Sequence, residues 1–228
     1  MKNINVESIK VSVIIPVYNS FKTIPDLLDS LDSQKTKPYE VIIIDSSDDN
    51  SIEQFISKKN YNFLLNYKKI NKAYPGKARN IGVKIAKGNY LAFIDSRSIP
   101  NQDWLLNSLN NINKEIKCII GSWRVRAKNY FQILLRATSH GMQTDQTLAG
   151  TLIEKNFFYE VGFFIENTRA GEDIEWINKL KKHSYNYLNS NNFNISYIGL
   201  PLDIFQTIIK YIVYSFHTSR VDVQQNIK

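Results

Sequence analysis

Three short apolar runs constrain this chain more than any other feature: VSVIIPV at Val11–Val17, EVIII at Glu40–Ile44 and YLAFI at Tyr90–Ile94. The first two are rich in β-branched residues and all three are too short for a buried helix, so each reads as a buried strand. Between the first two, Ile24, Leu27, Leu28 and Leu31 recur at helical spacing. Strands that alternate with helices are joined by crossover connections, and these build parallel sheets. Pro16 with the turn formers Asn19 and Ser20 stops the first run, and the second ends at Asp45 in the polar cluster SSDDNS. Further on, the pattern predicts a short helix over 51–57, strands over 62–66, 118–122 and 148–153, and a helix within QDWLLNSLNNI. It also predicts a helix flanked by loop within 124–146, and helices over 155–161 and 172–183.

With 228 residues the chain buries roughly 70% of its unfolded surface, which fits one domain with a full core. Lys and Arg number 29 against 21 Asp and Glu, a net charge of +8 that favours anionic partners. The basic residues are dispersed and no helix-turn-helix is evident, so no nucleic acid is expected. No G-x-G-x-x-G follows the first strand, and no P-loop is present. Cys118 is the only cysteine and sits among apolar neighbours, which fits a buried thiol in a reducing compartment. MKNINVESIK carries no apolar leader pattern, and no stretch reaches the length of a membrane span. The expected location is cytoplasmic, with peripheral contact at the inner face of the membrane. That contact rests on the C-terminal stripe of Ile204, Ile208, Ile212 and Phe216 with Phe205, Ile209 and Val213 beside it, interrupted by Lys210. Such a stripe packs on the protein's own core or lies on a membrane or partner.

The densest chemistry lies between Gly76 and Pro100. A helix starting near Gly76 presents free N–H groups and a positive dipole end, with Lys77 and Arg79 adding full charges, and phosphate is the natural guest. The strand that follows delivers Asp95 to its carboxyl end, where open α/β sheets place their ligand crevice.

Ala78, Arg79, Asn80 and Gly82, followed by Ala86, Gly88, Tyr90, Phe93 and Asp95, resemble the inverting glycosyltransferases of family 2, which have the GT-A fold. The resemblance runs from about Val11 to His183. It implies an α/β architecture, with a Rossmann-like, mainly parallel sheet flanked by helices and a C-terminal amphipathic helix. Residues 1–113 would form the nucleotide-sugar half of one domain, 114–199 the acceptor half, and 200–228 a helical tail. The implied activity is transfer, with inversion, of a sugar from a nucleoside diphosphate sugar, UDP being the expected base carrier, to a hydroxyl of a glycan or lipid-linked acceptor.

The resemblance also assigns roles. Pro16, Tyr18 and Asn19 would face the base, Asp45 the uracil or ribose, and Lys77 and Arg79 the diphosphate. Ala170, Gly171, Glu172 and Asp173 resemble the acceptor-side motif, with Asp173 as general base and Glu172 beside it. Leu148, Ala149, Gly150 and Thr151 resemble the acceptor-side strand. Trp176, one turn past Asp173, is a candidate for stacking on a sugar face. The family's Asp-x-Asp motif, which holds a divalent metal, reads Asp95, Ser96, Arg97 here. Two accounts stand. In one, Mg²⁺ or Mn²⁺ binds through Asp95, phosphate and water, with His217 as a further ligand. In the other, Arg97 neutralises the leaving diphosphate directly. His217, Ser219 and Arg220 lie in a tail that closes over the nucleotide in such enzymes. The alternative to an enzyme is a non-catalytic sugar-nucleotide-binding member of a glycan assembly complex.

Overall fold

The computed structural model describes residues 9–139, 145–183, 185–190, 195–219 and 221; Arg220 lies outside the described residues. The first half runs β1 (Val11–Val17), α1 (Ile24–Asp32), β2 (Glu40–Asp45), α2 (Ser51–Ile56), β3 (Leu64–Lys69), α3 (Pro75–Ile85) and β4 (Tyr90–Phe93). The second runs β5 (Ser98–Pro100), α4 (Trp104–Asn110), β6 (Cys118–Val125), α5 (Tyr130–Ser139), β7 (Asp145–Glu154), α6 (Lys155–Val161), α7 (Glu172–His183), β8 (Tyr187–Asn189), β9 (Ile195–Tyr197) and α8 (Ile204–Thr218).

Among the described residues the sheet order is β3-β2-β1-β4-β7-β6-β9-β5, with β8 beside β6. β1 is parallel to β2 and β4, and β2 to β3, as the crossover pattern requires. β7 enters antiparallel between β4 and β6. Successive residues of β1 point to opposite faces: Val13, Ile15 and Val17 join the core under α1 and α4, while Ile14 joins the core under α3, α6 and α7. That two-sided burial is why the strand reads as an unbroken apolar run.

Pro16 lies within β1 rather than ending it. Ile14 accepts from Ile94 N on the β4 side, so the missing N–H of Pro16 faces that side too, beyond the last β1–β4 pair, Ile14 and Phe93. Pro16 cannot donate the next bond of the parallel ladder, so β1–β4 pairing ends at that pair while β1–β2 pairing runs on to Val17 and Asp45. β3 extends to Lys69, beyond the expected 62–66. The three-residue strands β5, β8 and β9 carry no sequence period and were not foreseen.

The C-terminal stripe does not dock on the core. Ile204, Phe205, Ile208, Ile209, Ile212 and Phe216 are all exposed, whereas Thr207 and His217 are buried. Among the described residues no helix is long and apolar enough to cross a membrane.

Candidate active site

α3 carries Arg79 into the molecule. A Cβ on Gly82 would lie 2.5 Å from Ile14 Cγ2, so glycine permits the close approach of α3 to β1. Asn80 Nδ2 donates to the Phe164 carbonyl and to Glu166 Oε1, and Asn80 Oδ1 accepts from Phe164 N. These contacts fix the segment that leads to α7. Gly76 is buried, and a Cβ there would lie 2.0 Å from the Ile165 carbonyl oxygen, so glycine permits the same segment to pack against the first turn of α3. Lys77, the next residue, is exposed.

Arg79, expected at the diphosphate, is 3% exposed and stands between two carboxylates. Nη1 donates to Glu172 Oε1 and Nη2 to Asp95 Oδ1, each at 2.7 Å. The guanidinium also lies over the Phe164 ring. Burial disfavours its charge, but Asp95 and Glu172 outweigh that and hold it firmly protonated. Glu172, at the first residue of α7, is buried; that burial, opposed by Arg79 and reinforced by Asp173, pushes its carboxyl up to about 7. Asp173 is also raised, by burial first, with Arg79 opposing and the Asp95 charge adding. Asp173 is half-buried, and its Oδ1 accepts from Ile174 N. Among these carboxylates Glu172 is locked to Arg79, while Asp173 and the one-third-exposed Asp95 reach the surface.

The nucleotide-end residues lie on the same carboxyl edge of the sheet. β1 pairs Val17 with Asp45 and Ile14 with Phe93, which brings Asp45 and Asp95 to similar levels, with β1 between their strands. Asp45 is fully buried: Oδ1 accepts from Ser47 N, and Oδ2 from the Tyr67 hydroxyl at 2.9 Å and Lys69 Nζ at 3.4 Å. It therefore shapes the edge from within instead of presenting a carboxylate to a base. Asp48 takes the outer position, accepting from Tyr18 Oη and Asn19 Nδ2, and Lys72 covers the Tyr18 ring. An open cleft of about 590 Å³ here is lined by Ser46, Ser47, Asp48, Lys69, Asn71 and Lys72 among others. Sequence reasoning missed Asp48, Lys69 and Lys72, although the SSDDNS cluster was the available signal. Pro16 and Ser96 are half-buried, and the Ser96 carbonyl accepts from Thr23 Oγ1.

Three acceptor-side expectations are corrected. Trp176 is fully buried, stacks on Phe158 at 5.5 Å and donates from Nε1 to the Gly162 carbonyl, so it is a core residue with no face for a sugar. Thr151 is also fully buried, its Oγ1 donating to the Thr147 carbonyl and accepting from Gly121 N. Gly150 has φ 88° and accepts from Trp104 Nε1 where the β6–β7 register shifts. On the β6 side, Leu148, Ala149, Gly150 and Thr151 stand opposite Ile120 alone, an irregularity buried inside the sheet.

Arg97 is exposed at the other side of Asp95, near Tyr197 and α8. His217 is buried, its Nδ1 accepting from Arg169 N and its ring edge-on to Tyr74, which anchors the end of α8. Among the described residues no group of three or more His, Cys, Asp or Glu side chains is arranged to hold a metal. Asp95 already binds Arg79 through Oδ1, and Arg97 brings like charge to any cation placed there. This donor set does not fit a metal site made by the protein alone.

The resulting arrangement has an acidic floor of Asp95, Glu172 and Asp173 around one arginine, with further cations at the rim. The poly(ribitol-phosphate) beta-glucosyltransferase of Bacillus spizizenii is 40% identical over 107 residues, 44% of this chain and 17% of that protein. The poly(ribitol-phosphate) beta-N-acetylglucosaminyltransferase TarS of Staphylococcus aureus is 28% identical over 206 residues, 82% of this chain and 34% of the relative. The chain thus spans about a third or less of the length of these two relatives. Among solved structures, S. aureus TarS 1-349 in complex with UDP-GlcNAc superposes with a TM-score of 0.68 at 20% identity, covering 85% of this chain and 60% of that one. The mannosyltransferase PcManGT from Pyrobaculum calidifontis, in complex with GDP-Man and Mn²⁺, gives 0.65 at 17% identity, covering 93% and 64%. These likenesses show the GT-A fold expected from the sequence. The Glycosyl transferase family 2 profile matches residues 12–172, well over half of the chain, and the chain belongs to that family.

Proposed function

We propose that this chain transfers a sugar, with inversion, from a nucleoside diphosphate sugar to a hydroxyl of a glycan or lipid-linked acceptor. The supporting observation is the Arg79 bridge between Asp95 and Glu172, which sets Asp173 at the edge of the same carboxylate group. UDP is the favoured carrier, since TarS binds UDP-GlcNAc in its crystal structure. The acceptor oxygen attacks the anomeric carbon as the bond to the diphosphate oxygen breaks. Asp173 takes the hydroxyl proton, and the electron pair leaves on the diphosphate. The upward shift of Asp173 suits this task, because a general base works best with its pKa closer to the working pH.

In this reading Arg79 positions the two carboxylates, and Arg97 meets the charge that develops on the leaving diphosphate without metal. Tyr18 and the cleft beside Asp48 take the base. A lipid-linked acceptor fits the exposed apolar face of α8, which would lie on a membrane surface. A thermal-shift panel of UDP, GDP, CDP and dTDP, with and without manganese, tests the carrier, since a ligand bound to the folded state raises its apparent stability. Proton NMR of the product formed from an α-linked UDP-sugar tests the stereochemistry: a β-linked product supports inversion, and an α-linked product excludes it.

A further inference from the structure

α8 is an apolar helix with one lysine, and that lysine is turned inward. The residues around Lys210 on the outer face are exposed, while Lys210 itself is half-buried. An ammonium on a surface helix reaches water at no cost, so turning it inward calls for a reason. Its Nζ lies 3.5 Å from Tyr197 Oη and within 5.6 Å of the Tyr197 and Tyr214 ring centres. Tyr197 Oη donates its proton to the Gly199 carbonyl at 3.0 Å. Its lone pairs are therefore left to donors, and the Arg97 side chain packs beside the same phenol, since a Cβ on Gly199 would lie 2.6 Å from Tyr197 Oη and 2.7 Å from Arg97 Cδ. Glycine at 199 makes room for both.

One hydroxyl thus gathers a guanidinium and an ammonium from distant parts of the chain. Among the described residues neither cation is in a salt bridge. Burial and the nearby Arg97 charge both lower the Lys210 pKa, so the two cations repel each other. Two repelling charges held close together, neither of them in a salt bridge among the described residues, match a polyanion, and their sum equals that of one divalent ion.

We propose that Lys210 is the second cation of a diphosphate cradle, set beside Arg97 by the Tyr197 hydroxyl, which receives the leaving diphosphate where a divalent ion would otherwise stand. This deepens the proposed function and rests on it.

The test is calorimetric titration of the full chain with UDP and with UMP in EDTA, and of the wild type also with UDP, GDP, CDP and dTDP, each in EDTA and in manganese. The account expects Lys210→Met to weaken UDP binding at least tenfold while UMP affinity changes less than threefold. Lys210→Arg keeps a cation in place and should stay near wild type, which separates loss of charge from loss of fold. Tyr197→Phe should weaken UDP binding by a smaller factor. Wild-type affinity for UDP in Lys210→Met overturns the cradle but leaves sugar transfer standing. UDP binding by the wild type only when manganese replaces EDTA also overturns it. Failure of the wild type to bind UDP, GDP, CDP or dTDP under either condition removes the underlying reading as well.

Discussion

Arg79 and Glu172, 93 positions apart in sequence, are joined by a buried 2.7 Å ion pair. The other arm of the same guanidinium holds Asp95, so one side chain sets the spacing between the strand that carries Asp95 and the helix that begins with Glu172 and Asp173. A lysine, with its single ammonium, has no planar fork to hold two carboxylates in fixed directions.

Arg79→Met should therefore strand two acidic groups. Breaking a buried pair by removing one partner costs about 3–5 kcal/mol, and the variant's urea midpoint should fall accordingly. Transfer should be lost as Asp173 drifts from its place. Arg79→Lys should recover part of the stability and little of the activity. An Arg79→Met protein with unchanged midpoint and turnover would show that the bridge positions nothing.

The pH dependence has a definite sign. The Glu172 carboxyl moves from the ordinary 4.5 up to about 7 on folding. Between those values the folded state holds the extra proton, so this contribution to stability is complete below pH 4.5 and is lost as pH rises to about 7. Denaturation midpoints should decline across that window, and Glu172→Gln should flatten the decline. Activity should run the other way, because Asp173 must be ionised to act. The acid limb of kcat/KM should lie above the usual carboxylate range, and Asp95→Asn should lower it, since the Asp95 charge helps to raise Asp173. A limb that does not move in Asp95→Asn would contradict that coupling.

Trp176 distinguishes core from acceptor site. Trp176→Ala should destabilise the protein by about 3–5 kcal/mol, through loss of the aromatic cluster with Phe158, Phe164 and Phe93. Trp176→Phe should keep acceptor KM near the wild-type value while lowering the thermal midpoint. A selective rise in acceptor KM without loss of stability would return Trp176 to the sugar.

The parallel half of the fold was legible because a strand buried on both faces writes itself as an unbroken apolar run, as at Ile42–Ile44. β5, β8 and β9 were not, since three residues are too few to show a period and their pairing is decided by distant strands. The carboxylates around Arg79 were legible by type and order, but not by partner: nothing local shows that Arg79 turns toward Glu172 instead of outward. Trp176 and Thr151 were misplaced because short motifs state proximity to a site, not the side from which a residue faces it. Lys210 was visible only as a break in an apolar stripe, and three-dimensional packing showed which way the break points.

The most direct measurement of the central claim compares wild type and Asp173→Asn in a single-turnover assay of sugar transfer, alongside UDP titration of both proteins. Loss of a positioned general base lowers the rate by about 10²–10⁴-fold, and the account predicts such a loss with UDP affinity held within a factor of about three. An Asp173→Asn enzyme that turns over at the wild-type rate would contradict it.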